Sequence, residues 1–392
     1  MRFLKTKLAV LGAALVVAAC GGGGAGDQHP RVPFTALVSF GDSLSDVGNE
    51  KVGTIAAVGG GKWTVNSPTA RNWTEWIAAD IGASAPCAAQ TGLLTNIPGL
   101  TGAAVVQHTE CNNYAEGSAR VSNVFGPNSA TLQAAPFSQV NLGLTATPLT
   151  AQVANYLSRH NGAFSGTELV TVLAGGNDIF MNVNAVGAAA GGGAGAVGAA
   201  IAAGWDASTQ GAVAGGGAAA VQAAATAAVT SMGVAGAELA GLVKAQMLAK
   251  GAKYVVVVNL PDVTQSPGSM ALDAQTRGLI GQMVQTFNAQ LSAGLQGTGV
   301  VYVDAYTQGQ DQIAHPQQYS LANVTTAACS STSPANPFAS VSGRSITCSE
   351  ASVISGDVTH YLFADDTGHL TPYGYQLLAQ YVAVQIAKAG WL

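Results

Sequence analysis

In the stretch "SFGDSLSDVGN", Ser39 to Asn49, a serine follows a short apolar run at the point where a strand should end. A serine placed straight after a strand and before a helix is held in a tight turn. Its hydroxyl then projects from the carboxyl edge of the sheet, where open α/β sheets bind ligands. Ser43 is therefore a nucleophile or a helix cap, and its own N–H, at a helix N-terminus, would face any oxyanion formed on attack. The turn is not a GxSxG elbow, since Asp42 precedes the serine and Leu44 follows it. A nucleophile also needs a base and a group that orients the base. Near the other end, "YLFADDTGHLTPYGYQLLA" places Asp366 three residues before His369. At that spacing one turn of chain aims the imidazole outward while the carboxylate holds its far nitrogen. Two more stretches offer donors to an oxyanion: "AGGNDIF" with the Asn177 amide, and "NNYAEGSAR" with the N–H of Gly117, where no side chain blocks approach. Each such donor is worth about 3 to 4 kcal/mol of transition-state stabilisation. Taken singly, these residues read as readily as a cap, a surface pair and two turn residues.

The elements that must position them are visible in the hydrophobic pattern. "TALVSF", "ELVTVLAGG", "KYVVVVNLPD" and "GVVYVDAY" are continuous rather than alternating apolar runs, as expected of parallel strands covered on both faces. Helical spacing lies between them. Ile280, Met283, Val284, Phe287 and Leu291 recur at steps of three and four, as do Leu239, Leu242, Val243 and Met247, with Gly251 as a stop. A doubly wound α/β sheet is the economical architecture. The segment from about 185 to 218 is nearly uncharged Gly/Ala sequence, in which glycine at this density opposes a helix. It reads as a mobile flap with Trp205 as an apolar contact, or as an inert insertion.

Composition narrows the function further. Only 9% of the 392 residues are charged and the net charge is −5, which disfavours nucleic acid as a partner. Arg2, Lys5 and Lys7 precede an apolar stretch from Leu8 to Ala19 that is too short to span a bilayer, so residues 1–20 read as an export signal. "VAAC" resembles a bacterial lipoprotein box, with Cys20 as the lipidated residue; ordinary cleavage nearby is the alternative. Residues 21–33 begin as a Gly-rich flexible tether. Cys87, Cys111, Cys329 and Cys348 form an even set without a CxxC pair, and in an oxidising compartment they read as disulfides. Of three possible pairings the local ones are favoured, Cys87 with Cys111 and Cys329 with Cys348. Each would stabilise by about 3 kcal/mol in the chain-entropy model.

Taken together and in this order, the blocks resemble the GDSL family of SGNH hydrolases. Gly41-Asp42-Ser43-Leu44 matches the first block, Gly117 the second, Gly175 to Asp178 the third and Asp366 to His369 the last. The resemblance covers residues 34–392. It implies a flavodoxin-like three-layer α/β/α sandwich with a central parallel sheet. It also implies a serine esterase or lipase with Ser43 as nucleophile, His369 as base, Asp366 as orienter, and an oxyanion hole from Ser43, Gly117 and Asn177. Two departures stand out: Leu370, where proline commonly follows the histidine, and Ser118, where a second glycine is common. The expected substrates are acyl esters or phospholipids, with neither metal nor cofactor. Alternatives are phospholipid-dependent acyl transfer, O-deacetylation of carbohydrate, or a surface lipoprotein that binds without turnover. Lipidation of Cys20 would attach the chain to a membrane. Gly21 after the cysteine, rather than an acidic residue, favours the outer membrane if the source has one; otherwise the protein is periplasmic or secreted.

Overall fold

The computed structural model describes residues 30–341 and 343–392, so the expected export signal, Cys20 and most of the tether lie outside the described residues. Its central sheet is parallel, in the order β1 (Leu37–Gly41), β4 (Leu169–Leu173), β5 (Tyr254–Val258) and β6 (Val301–Val303). The remaining strands, β2 (Gln90–Leu93) and β3 (Ala103–Gln107), pair antiparallel outside it. Ser39, Thr171, Val256 and Val301 stand in one row across the central sheet. Beyond β1 the chain at 112–116 takes the place of a further parallel strand. The Ser39 N–H donates to Asn112 O, Tyr114 N–H to Ser39 O and Glu116 N–H to Gly41 O, at 3.0, 2.8 and 3.2 Å.

Successive strand residues point to opposite faces, and both faces are covered, which is why the runs are continuously apolar. Val38, Phe40, Val170, Val172, Val255 and Val257 belong to one core; Leu37, Leu169, Leu173, Val256, Val258 and Val303 belong to the other. The second face is closed by α1 (Trp73–Asp80) and α8 (Pro372–Lys388), through Trp73, Ile77, Tyr375, Val382 and Ile386. The first is closed by α2 (Leu149–Arg159), α3 (Gly176–Ala189), α6 (Gly217–Leu242) and α7 (Ala274–Leu295). The expected three-layer sandwich is thus present. Ile280, Met283, Val284, Phe287 and Leu291 are all buried, and Gly251 ends the other predicted helical run with φ of 101°. Both local cysteine pairs are bonded, Cys87 with Cys111 and Cys329 with Cys348.

The Gly/Ala segment differs from expectation: it is helical rather than a flap. After α3 come α4 (Gly193–Ala203) and α5 (Ala207–Ala214), and α6 begins at Gly217. Alanine, the best helix former, outweighs the glycines, and key glycines lie between helices. Gly204 and Gly216 have φ of 89° and 68°, a left-handed backbone that L side chains rarely adopt. Ala196, Ala200, Ala220, Ala224 and Ala228 are buried, so small side chains let these helices approach one another closely. Trp205 is buried, and its indole N–H donates to Asn182 Oδ1 at 2.7 Å.

Inside α6, Gly236 has a packing reason, since an added Cβ would come within 2.4 Å of Phe287 O, but other glycines carry a propensity cost without one. A Cβ built on Gly198 in α4 or Gly241 in α6 meets nothing within 4 Å. Gly198→Ala and Gly241→Ala should each raise stability by up to about 1 kcal/mol. The check is urea unfolding, with a higher midpoint and an unchanged slope. A lowered midpoint would contradict helical structure at that position.

Candidate active site

Ser43 lies two residues past the end of β1, and its Oγ lies 2.8 Å from His369 Nε2 although the two are 326 residues apart in sequence. On the other side of the ring, His369 Nδ1 lies 2.8 Å from Asp365 Oδ2. With the Nδ1 proton directed at that carboxylate, Nε2 is left to accept the serine proton. The carboxylate beside the imidazole is therefore Asp365 and not the expected Asp366. Residues 363–370 fold back as a tight hairpin in which Ala364 N–H donates to His369 O at 2.7 Å. That pairing sets Asp365 beside the imidazole. Asp366 turns outward, its side chain 46% exposed, and accepts a hydrogen bond from Arg344 at 2.6 Å.

Asp365 is fully buried and collects donors on both oxygens. Oδ1 accepts from the Thr367 N–H and hydroxyl at 3.0 and 2.6 Å, an Asx turn that the spacing Asp365-Asp366-Thr367 encodes. Oδ2 accepts from the Ser345 N–H at 3.3 Å and from its hydroxyl. Burial by itself would raise this carboxyl; the His369 charge and hydrogen bond, with those of Ser345 and Thr367, outweigh it and hold the group well below the ordinary range. The imidazole is further fixed by Trp63, with ring centroids 4.9 Å apart. Sequence reasoning missed Trp63, Ser345 and Asp365; of these only Asp365 had a local signal, the Asx-turn threonine.

The other predicted residues gather at the same edge. Asn177 opens α3, and one proton of its amide goes to Ala119 O at 2.9 Å, leaving the second. A Cβ on its neighbour Gly176 would sit 3.6 Å from Asp42 Oδ2, so the third block abuts the first. Gly117 is where only glycine fits, since an added Cβ would come within 2.5 Å of the Trp63 ring. Its N–H, however, donates to Asp46 Oδ2 at 3.1 Å and is already engaged. The next residue, Ser118, takes a left-handed φ of 63°. Among the described residues the N–H groups of Ser43 and Ser118 have no hydrogen-bond partner. Asp178, beside Asn177, pairs with buried Arg120 at 2.8 Å, and Arg120 also donates to Ala202 O and Ala203 O at the end of α4. The Gly/Ala helices are tied to the site in this way.

Four buried carboxyls, Asp42, Asp46, Glu50 and Glu116, surround this turn. Burial pushes Asp42 and Glu116 each up to about 7. It also raises Asp46, and Glu50 strongly, the latter with the Asp46 charge adding to the effect. Neither oxygen of Glu50 has a donor. A carboxyl raised in the folded state binds its proton there while the unfolded chain, near ~4, has already lost it. Stability is therefore fully present below about pH 4 for these groups and is lost as pH rises towards 7. Asp365 has the opposite sign, and its contribution is lost only as pH falls below the ordinary carboxyl range. Calorimetry should show a thermal midpoint that is higher at pH 5 than at pH 8, with a smaller difference in Glu50→Gln. A midpoint that rises from pH 5 to 8 would contradict the burial of protonated carboxyls.

Residues 37–382 match the family model described as GDSL-like Lipase/Acylhydrolase. No curated protein matches the chain. Among solved structures it is similar to an extracellular lipase from Streptomyces rimosus, at 16% identity and a TM-score of 0.40, covering 90% of this chain and 99% of that one. A likeness at that level carries no argument about substrate. The family match, spanning the sheet and every block of the site, is sufficient: this chain belongs to the GDSL-like lipase/acylhydrolase family, whose chemistry is ester hydrolysis.

Proposed function

We propose that this protein hydrolyses carboxylic esters through an acyl-enzyme on Ser43. The reading rests on one observation, the unbroken contact from Ser43 Oγ through His369 to Asp365, 2.8 Å at each step. Oγ attacks the ester carbonyl carbon as its proton passes to Nε2, and the carbonyl becomes a tetrahedral oxyanion. Collapse breaks the bond to the alkoxy oxygen, which takes the proton from Nε2 and leaves as the alcohol. Water, deprotonated by the same nitrogen, then attacks the acyl-enzyme and releases the acid. Asp365 holds the ring and stabilises the imidazolium without taking its proton. The oxyanion is met by the Ser43 N–H and the free amide proton of Asn177. The third donor is the N–H of Ser118 rather than that of Gly117, which Asp46 occupies.

Two disulfides support export to an oxidising compartment. We propose residues 1–20 as its signal and Cys20 as the acceptor of a lipid anchor. Mass spectrometry of the mature N-terminal peptide would carry the added acyl groups, or would refute the anchor by their absence.

The function is tested with p-nitrophenyl esters from acetyl upward. Ser43→Ala should abolish turnover while the protein stays folded. Asn177→Ala should lower kcat by about 10²-fold or more with little change in KM, because its donor acts on the transition state. Turnover surviving in Ser43→Ala, or an Asn177→Ala effect confined to KM, would overturn these roles.

A further inference from the structure

Asp46 and Glu50 follow Ser43 in the chain and are fully buried, yet the triad chemistry uses neither. Asp46 is well supplied with donors. Its Oδ1 accepts from the Gly48 and Asn49 N–H groups at 2.7 and 2.8 Å, and Oδ2 from the Gly117 N–H at 3.1 Å. Glu50 receives none on either oxygen. The two side chains are nevertheless hydrogen-bonded to each other. Two carboxyl groups form such a bond only when one of them holds a proton. Three N–H groups aimed at Asp46 favour its ionised form, and the lack of any donor at Glu50 favours its neutral one. The proton therefore sits on Glu50, whose O–H donates to the Asp46 carboxylate.

Both carboxyls press on Gly117. Its N–H meets Asp46, and a Cβ added there would come within 2.9 Å of Glu50 Oε1 and 2.5 Å of the Trp63 ring. Trp63 in turn lies on the His369 imidazole. The Gly117 carbonyl shares a rigid peptide plane with the next N–H, that of Ser118, so whatever fixes Gly117 also aims that N–H. Ser118 has a left-handed φ of 63°, a conformation that a residue other than glycine keeps only where its surroundings hold it. The hydrogen bond from Gly117 to Asp46 is such a hold.

We propose that Glu50 is a positioning residue for the oxyanion hole: its carboxyl proton bridges to Asp46, Asp46 anchors the Gly117 N–H, and that anchor aims the Ser118 N–H at the oxyanion. This rests on the ester-hydrolase reading, with Ser118 as the third donor. Without the bridging proton, two buried anions would oppose each other beneath Gly117 and the anchor would be lost.

The experiment sets Glu50→Gln, which keeps a donor to Asp46, against Glu50→Leu, which keeps the bulk and removes the donor. On p-nitrophenyl acetate, Glu50→Leu should lower kcat about tenfold or more with KM within about threefold, part of what a whole oxyanion donor contributes. Glu50→Gln should stay within about threefold of the wild type in both. Asp46→Asn has one acceptor atom where the carboxylate has two, so it should show the same kcat loss, and it serves if the leucine variant does not fold. Equal kcat losses in Glu50→Gln and Glu50→Leu, or losses confined to KM, would overturn the proposal. Two further readouts need no turnover. At pH 7 the infrared difference between wild type and Glu50→Gln should contain the C=O stretch of a neutral carboxylic acid. Hydrogen exchange of the Gly117 amide, followed by NMR, should be at least about tenfold faster in Glu50→Leu or Asp46→Asn than in Glu50→Gln. An ionised-carboxylate band at Glu50, or Gly117 exchange that none of the variants alters, would overturn the proton bridge whatever the turnover. Both signatures as expected, in a wild type that cleaves no ester, would support the bridge and sink only the hydrolase reading.

Discussion

Keeping Asp365 ionised without water is the constraint around which the C-terminal third of the chain is organised. Removing a carboxylate from water costs several kcal/mol unless donors replace it. Here the replacements come from Thr367 and His369 in the same hairpin and from Ser345, twenty residues away. The Cys329–Cys348 disulfide holds that arrangement together. Cys329 N–H donates to Ala364 O at 2.9 Å, next to Asp365, and Arg344 Nε donates to Cys329 O at 3.0 Å while its Nη1 reaches Asp366. Arg344 and Asp366 thus brace the hairpin from outside, and Asp365 works inside it.

The parallel sheet supplies the other half of the site. All its strands present their carboxyl ends to one edge, so the turns after β1 and β4 and the run at 112–116 deliver Ser43, Asn177 and Ser118 to neighbouring places. Gathering these turns also buries Asp42, Asp46, Glu50 and Glu116 beside them. Their proximity would be prohibitive if all were ionised. Burial resolves the conflict by favouring the protonated forms, and it leaves Asp46 oriented by the Gly48, Asn49 and Gly117 N–H groups. The same region therefore contains a carboxyl held ionised by its donors and others in which burial outweighs the donors they have, Glu50 having none.

What could be read beforehand follows the range of the interactions. The β1, β4, β5 and β6 runs and the α7 stripe were legible because burial on both faces, or on one stripe, writes itself into local periodicity. Ser43 and His369 were legible because their blocks carry the family's pattern. The Gly/Ala segment was misread because glycine frequency was counted without asking where the glycines fall; Gly204 and Gly216 lie between helices, where a left-handed backbone is needed. Spacing alone points to Asp366, whereas the hairpin pairing of Ala364 with His369 decides which carboxylate meets the ring. Trp63 could not be found from its neighbours, since its partner His369 lies at the far end of the chain.

The most direct measurement is kcat for an ester substrate in Asp365→Asn and in Asp366→Asn, both shown to be folded. If Asp365 fixes the tautomer of His369, its amide variant should lose about 10²- to 10⁴-fold in kcat, as replacing the triad carboxylate does. Asp366→Asn, which weakens only the exposed contact with Arg344, should stay within a few-fold of the wild type. A loss in Asp366→Asn equal to or larger than that in Asp365→Asn would contradict the assignment and the geometry built upon it.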